Sequence, residues 1–163
     1  MALIFWDIDG CTRIAMGENG TDPQMLGHLC KNLRELAITT GSQLVVSSQW
    51  RFHLSVEEIA RNHGLPMHLL HPDQLSLRIP KRSDAILTWL GQHPGVDNFV
   101  IIDDTARDFD DSPARLKNRL VLCNSRVGLV TAAVEKARRL LAGMSDEDRT
   151  IFVGGDPEND NDL

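Results

Sequence analysis

Short apolar runs that end in acidic or hydroxyl residues are the feature that most constrains the fold of this chain. Continuous runs such as "ALIFW" (residues 2–6) are typical of parallel strands that are covered on both faces. In sheets of this kind the working side chains lie at the carboxyl ends of the strands. The residues predicted to meet there follow three such runs: Asp7 and Asp9, Ser47 and Ser48, and Asp103 and Asp104.

Amphipathic segments separate these runs. Asp22 and Pro23 are suited to begin a helix that Gly41 ends, and Ser55 with Glu58 forms a capping pattern for a second. Further helices are predicted in "KRSDAILTWLGQH" and "LVTAAVEKARRLLAG", and a fourth strand in "RLVLC". The alternation predicts an α/β fold: a Rossmann-like three-layer sandwich with a central, mostly parallel sheet and right-handed crossovers.

The length of 163 residues suits one domain, which we place at residues 1–155. The segment "GENGT" (17–21) is predicted to be a loop. Residues 156–163 form an acidic tail with little to bury, for which we expect disorder. The net charge of −6 argues against broad nonspecific nucleic-acid binding but leaves room for a local basic site.

Location and association are predicted from weaker signals. The chain enters an apolar strand at Ala2 without a basic leader, and its three cysteines show no disulfide pattern, which together favour the cytoplasm. No stretch approaches the roughly 20 apolar residues that cross a bilayer, so we expect no membrane partner. The sequence indicates no particular oligomeric state.

Two acidic pairs at one sheet edge indicate a cation-binding site. Clustered carboxylates repel one another and lose hydration, so they persist where a cation neutralises them or water reaches them. A hard divalent ion with oxygen ligands, most plausibly Mg²⁺, explains both pairs. The alternative is that each acid only caps the next loop, which one pair alone would favour and two pairs do not.

The order of these motifs resembles the haloacid dehalogenase (HAD) superfamily of phosphatases. That order is DxDG, a serine after a strand, a basic residue at a helix start, and an apolar strand that ends in DD. The segments "FWDIDG", "VVSSQWR", "KRSDAILTWL", "VIIDD" and "VGLVTAAVEKA" further resemble the HAD domains of Swiss Army Knife RNA repair proteins. Neither gap between motifs has room for a folded cap domain, so a capless fold is expected.

The resemblance implies two roles at the first motif. Asp7 would be the nucleophile that forms an aspartyl-phosphate. Asp9 would be the general acid that protonates the leaving group and then the base that activates water.

The resemblance also implies phosphate contacts and a metal site. Ser48, or less readily Ser47, would bind a phosphoryl oxygen, and Arg51 would contact substrate through its forked donors. The basic residue of the third motif is Lys81 or its neighbour Arg82. Mg²⁺ would be held by Asp7, the Asp9 backbone carbonyl and Asp104, with Asp103 in support or in place of Asp104, and Asp108 would lie beyond the direct ligands.

The function implied is Mg²⁺-dependent hydrolysis of a phosphomonoester. An open site admits a polymer end, and the resemblance favours nucleic-acid terminal phosphates or nucleotides as substrates. One alternative is a phosphatase of a small metabolite or a phosphoprotein. Another is a catalytically idle HAD-fold binding module, against which stands the complete set of motif residues.

Overall fold

The computed structural model describes residues 1–16, 22–25 and 27–144. The strands are β1 (Ala2–Trp6), β2 (Arg13–Met16), β3 (Asp22–Met25), β4 (Ser42–Val46), β5 (Asn98–Asp103) and β6 (Leu120–Leu122). The α-helices are α1 (Gly27–Thr40), α2 (Val56–His63), α3 (Arg82–Gln92), α4 (Ala114–Lys117) and α5 (Thr131–Leu141). Short 3-10 helices span Gln49–Phe52, Met67–Leu69 and Ala106–Phe109.

A four-stranded parallel sheet forms the centre of the fold, in the order β4-β1-β5-β6. Strand β1 lies between β4 and β5, with Ala2 beside both Ser42 and Asn98 and Trp6 beside Val46 and Ile102. The register brings the carboxyl ends of the three strands to the same edge. This sheet confirms the predicted α/β fold with its parallel centre.

Helices cover both faces of the sheet, as the alternation of side chains along each strand requires. Ile4 and Trp6 pack with helices α1, α2 and α5 in one buried cluster. Leu3 and Phe5 point to the other face, where α3 and α4 complete a second cluster. The result is the expected three-layer arrangement.

The segment after the first motif differs from the prediction. A helix was expected to begin at Asp22 and Pro23, but those residues start β3, which pairs with β2 in an antiparallel hairpin. Helix α1 begins only at Gly27. Proline lacks the N–H that a central strand needs, yet a strand with one free edge tolerates it, and this hairpin has two strands only.

The predicted ends of α2 are confirmed. The Ser55 hydroxyl accepts the Glu58 N–H at 3.1 Å, and Gly64 ends the helix in the left-handed conformation at φ 65°. This capped helix leads away from the carboxyl end of β4 and buries Ile59 and Ala60 against the sheet.

The described chain holds no cap domain between the motifs. The described residues between β1 and β4 form a hairpin and one helix, and those between β4 and α3 form short helices and a linker. The predicted 17–21 loop and the 156–163 tail lie outside the described residues. Among the helices described, none combines the length and apolar character that crossing a membrane requires.

Candidate active site

Asp7 stands at the carboxyl end of β1, in the middle of the sheet edge. Its backbone N–H donates to the Ile102 carbonyl at 2.9 Å, which continues the pairing with β5 one residue beyond the strand. Its carboxylate is buried, and Oδ2 lies 3.0 Å from Nη1 of Arg82. The strand therefore fixes the position of this carboxylate, and the arginine fixes its orientation.

Asp103 and Asp104 end the neighbouring strand β5. The fully buried Asp103 accepts two bonds, from Nη1 of Arg82 at 2.7 Å and from the Thr105 N–H at 2.9 Å. Asp104 is partly exposed, and its Oδ1 accepts the Thr105 hydroxyl at 3.1 Å. Both oxygens of Asp103 therefore already accept hydrogen bonds, whereas among the described residues only Oδ1 of Asp104 does, so Asp104 has an oxygen available to bind a ligand.

Gly10 allows Asp104 to approach the first motif. Its φ of +83° lies in the left-handed region, and a Cβ at this position would collide with the Asp104 carboxylate. The glycine of the DxDG motif is therefore required for two reasons: its backbone conformation is left-handed, and the Asp104 carboxylate occupies the space where a side chain would be.

One carboxylate oxygen from each of Asp7, Asp103 and Asp104 lies within 4.8 Å of the other two. Arg82 supplies a single positive charge against these three acids, and its Nε also lies 3.5 Å from Oδ2 of Asp108. Hard oxygen donors with excess negative charge are what Mg²⁺ prefers. These residues therefore fit the cation that the sequence implied.

Burial changes the protonation of this cluster. It raises the pKa of Asp7 to about 7, although the Arg82 guanidinium opposes the shift. Burial also raises the pKa of Asp103, again against Arg82. Burial alone would lower the pKa of Arg82, but Asp7 and Asp103 raise it, so that side chain stays charged. A cation bound here would compete with protons for Asp7.

Of the two basic residues at the start of α3, the structure brings Arg82 to the cluster. The Lys81 side chain is exposed and pairs instead with Asp111, its Nζ 2.9 Å from Oδ2. Lys81 is the N-cap of the helix and Arg82 its first residue, so the two side chains leave the helix in different directions. The structure therefore does not place Lys81 beside Asp7.

Ser47 and Ser48 lie at the carboxyl end of β4, as predicted, and both are buried. The Ser48 Oγ accepts the Trp50 N–H at 3.2 Å, which begins the 3-10 turn after the strand. The Ser47 hydroxyl has no hydrogen-bond partner within the described part of the chain. A buried hydroxyl without a partner is unusual, and it remains able to bond a ligand.

Arg51 does not present its guanidinium to the site as a free phosphate clamp. The side chain is buried, and Nη1 donates to the carbonyls of Ser47 and Ser48, at 2.9 and 3.3 Å. Nη2 donates to the carbonyls of Ile79 and Pro80, at 2.9 and 3.5 Å. Arg51 thereby ties the end of β4 to the segment that leads into Arg82.

Asp9 lies apart from the three clustered carboxylates. Its side chain is 58% exposed, and its oxygens contact Arg13 at 2.9 Å and the Trp50 indole N–H at 3.2 Å. Sequence reasoning singled out neither Arg13 nor an indole contact. The spacing of four residues between Asp9 and Arg13 was the only available signal, and it carries no weight outside a helix.

The fold and this edge together define the class of the protein. The central sheet is parallel, its first strand ends in an acid beside a basic helix start, and the neighbouring strand ends in two acids. These features make it a HAD-like domain, and the described residues include no cap. More particularly, the chain belongs to the family described as the HAD domain in Swiss Army Knife RNA repair proteins, whose model matches residues 3–134. No curated protein matches the chain.

Proposed function

We propose that this protein is a Mg²⁺-dependent phosphomonoesterase that works through an aspartyl-phosphate on Asp7. The observation that carries the proposal is the Asp7 carboxylate, held at the sheet edge by Arg82 beside two further acids. A buried carboxylate that is fixed in position and next to a cation site is suited to attack phosphorus.

The first step transfers the phosphoryl group to the protein. An Asp7 oxygen attacks phosphorus, the ester P–O bond breaks, and Asp9 gives its proton to the departing alkoxide. Arg82 takes the third-motif role for which Lys81 or Arg82 was expected, because it contacts Asp7 directly. Its charge offsets the negative charge shared by the nucleophile and the phosphate.

The second step releases phosphate. Asp9, now ionised, removes a proton from water, the resulting hydroxide attacks phosphorus, and the bond to Asp7 breaks. The serine hydroxyls at the end of β4 are proposed to bind phosphoryl oxygens, for which the Ser47 hydroxyl has a bonding position free among the described residues.

Asp7, Asp104 and the Asp9 backbone carbonyl would hold Mg²⁺, with Asp103 in support. Asp104 is favoured because both oxygens of Asp103 already accept hydrogen bonds. When bound, the ion would neutralise the carboxylates and polarise a phosphoryl oxygen.

The proposed substrates are terminal phosphates of nucleic acids, or nucleotides. The family's description, which refers to RNA repair proteins, supports this choice. The described residues support it too, because they include no cap over this edge of the sheet, and a polymer end can enter an open edge.

The test is phosphate release, with Mg²⁺ and with EDTA, from 3′- and 5′-phosphorylated RNA and DNA oligonucleotides, mononucleotides, sugar phosphates and an aryl phosphate. We expect Mg²⁺-dependent release that favours one kind of nucleic-acid end. Asp7→Asn should lower turnover by on the order of 10⁴-fold or more. The matched control is Asp97→Asn, an exposed aspartate just before β5, at the opposite end of that strand.

Each outcome separates the hypotheses. Release from sugar phosphates alone would move the substrate to small metabolites. Appreciable turnover by Asp7→Asn would remove its assignment as nucleophile. A folded wild-type protein that releases phosphate from none of these esters would leave the binding module as the better reading.

A further inference from the structure

Asp9 is held by one donor on each of its two oxygens. Arg13 Nη1 donates to Oδ1 at 2.9 Å, and Trp50 Nε1 donates to Oδ2 at 3.2 Å. The two donors come from segments that follow different strands: Arg13 begins β2, after β1, and Trp50 lies in the 3-10 helix after β4. An exposed aspartate rotates freely about its side-chain bonds, whereas one bonded through both oxygens is held in a single orientation.

Arg13 is fixed by the turn that also carries Asp9. Its carbonyl accepts the Gly10 N–H at 2.7 Å, and the residue begins β2. Its guanidinium carbon lies 5.4 Å from the centroid of the Trp50 ring, within the range of a cation–π contact. The two donors to Asp9 therefore also stabilise each other.

Trp50 is fixed from the other side. Its backbone N–H donates to the Ser48 hydroxyl, and its ring packs against the buried cluster of β1, α1 and α2. The ring meets His63 edge-on, with the centroids 6.4 Å apart. His63 in turn bonds the Thr12 hydroxyl at 2.8 Å and the Ile59 carbonyl at 2.9 Å, which links the loop after β1 to α2.

We propose that Arg13 and Trp50 are positioning residues that hold the Asp9 carboxylate toward the leaving group. This inference rests on the proposed function. Each carboxylate oxygen has two lone pairs, and each donor uses one, so Asp9 keeps a position on either oxygen from which it can give or take a proton. A group held in reach of its proton partner is what general acid catalysis needs.

The first experiment tests the contact without relying on activity. The chain has three tryptophans, so three indole N–H signals are expected in a ¹H–¹⁵N spectrum. Asp9→Asn and Arg13→Gln should move the Trp50 signal, which Trp50→Phe assigns by removing it. The signal of Trp89 should stay in place, since its indole N–H donates to the Asp73 carbonyl, away from this contact.

The second experiment uses the leaving group. An alkyl phosphate needs a proton on its departing oxygen, whereas a dinitrophenyl phosphate departs without one. Because a positioned acid contributes about 10²- to 10⁴-fold, Arg13→Gln with Trp50→Phe should lower kcat/KM on the alkyl ester by about 10-fold or more. The kcat/KM value reports only the steps up to loss of the leaving group, so it excludes the later hydrolysis of the aspartyl-phosphate that both esters share. The kcat/KM of the dinitrophenyl ester should be nearly unaffected, and Arg13→Lys should restore part of the loss on the alkyl ester.

Two matched controls exclude a general effect of the substitutions. Arg126→Gln removes an exposed arginine from the loop after β6, at the same end of the sheet. Trp89→Phe removes an indole hydrogen bond outside the site. Neither variant should change the ratio of the two ester rates.

An unmoved Trp50 signal in Asp9→Asn would overturn the proposal, and so would an equal loss of kcat/KM on both esters. A wild-type protein that hydrolyses neither these two esters nor any ester of the panel above, while the Trp50 signal responds as expected, would overturn the proposed function and the positioning role with it. An active wild type with a uniform loss in the variants would overturn the positioning role alone.

Discussion

Arg82 and Lys81 are neighbours in sequence, yet they contact different carboxylates. Arg82 is largely buried between Asp7 and Asp103, while Lys81 is exposed and pairs with Asp111. Removing Arg82 leaves buried acids without their counter-charge, which is far more costly than losing a surface pair. The electrostatics of the site therefore depends on one cation.

The two residues make a matched pair of substitutions. Arg82→Met should reduce phosphate release by at least about 10²-fold, comparable with losing one charge-stabilising donor, whereas Lys81→Met should retain most of it. The measurement is kcat with Mg²⁺ on the best ester of the panel, with folding checked by circular dichroism. A larger loss of kcat in Lys81→Met than in Arg82→Met would indicate that Lys81, and not Arg82, is the basic residue of the third motif.

At the scale of elements, Arg51 connects two parts of the chain that meet at the sheet edge. Its guanidinium bonds the carbonyls that end β4 and those just before α3. Burial, and then the positive charge of Arg82, lower the pKa of Arg51. Its two terminal nitrogens donate to four backbone carbonyls, whereas Nε has no hydrogen-bond partner within the described chain. The placement of Arg82 thus depends on a residue that need not touch substrate.

Arg51→Lys tests this connection. Lysine keeps the charge but cannot span two pairs of carbonyls with a planar fork. We expect a loss of about 1–3 kcal/mol in the free energy of unfolding, as for a buried polar group left without a partner, with a drop in kcat.

Urea denaturation gives the change in stability, and Arg61→Lys, an exposed arginine on α2, is the control. A variant with native stability but raised KM alone would instead indicate that Arg51 contacts substrate.

The elements also show which patterns predict structure. The apolar runs predict β1, β4 and β5 because burial on both faces leaves a continuous signature. Local sequence rules gave the wrong prediction for Asp22 and Pro23. The pair is suited to a helix start, but in the structure it forms a strand through backbone pairing with Ala15 and Met16. The role of Arg51 leaves no local pattern because its partners accept through backbone carbonyls, two of them in a distant segment. The role of Arg13 was missed because a four-residue spacing to Asp9 has no meaning outside a helix.

At the scale of the whole molecule, the acid cluster stabilises or destabilises the fold according to pH and metal. The pKa of Asp7 is raised to about 7 from the ordinary aspartate value near 4. The folded state therefore binds more protons than the unfolded state between these values. The raised pKa of Asp7 therefore adds its full contribution to the free energy of unfolding below about pH 4. This contribution is lost as the pH rises through about 7.

In EDTA we expect the free energy of unfolding of the wild type, relative to Asp7→Asn, to fall between about pH 4 and pH 7. The slope should approach about 1.4 kcal/mol per pH unit. Mg²⁺ binds the ionised acids, so saturating Mg²⁺ should flatten the slope and raise the melting temperature most above pH 7.

Thermal melts across pH, with and without Mg²⁺, measure both effects. Asp104→Asn should weaken the response to Mg²⁺, whereas Asp97→Asn should retain it. A wild-type protein whose stability does not respond to Mg²⁺ at any pH would contradict the assignment of the metal site.

The central place of β1 also affects the order in which the protein can form. Strand β1 pairs with β4 and also with β5, which lies much later in the chain. Pairings between such distant segments are slow, because a long loop must close before they form. During synthesis Asp7 therefore meets Asp103 and Asp104 only after β5 has emerged, although β4, the other neighbour of β1, emerges earlier. The acidic cluster therefore forms in the same step in which β5 completes the centre of the sheet beside β1.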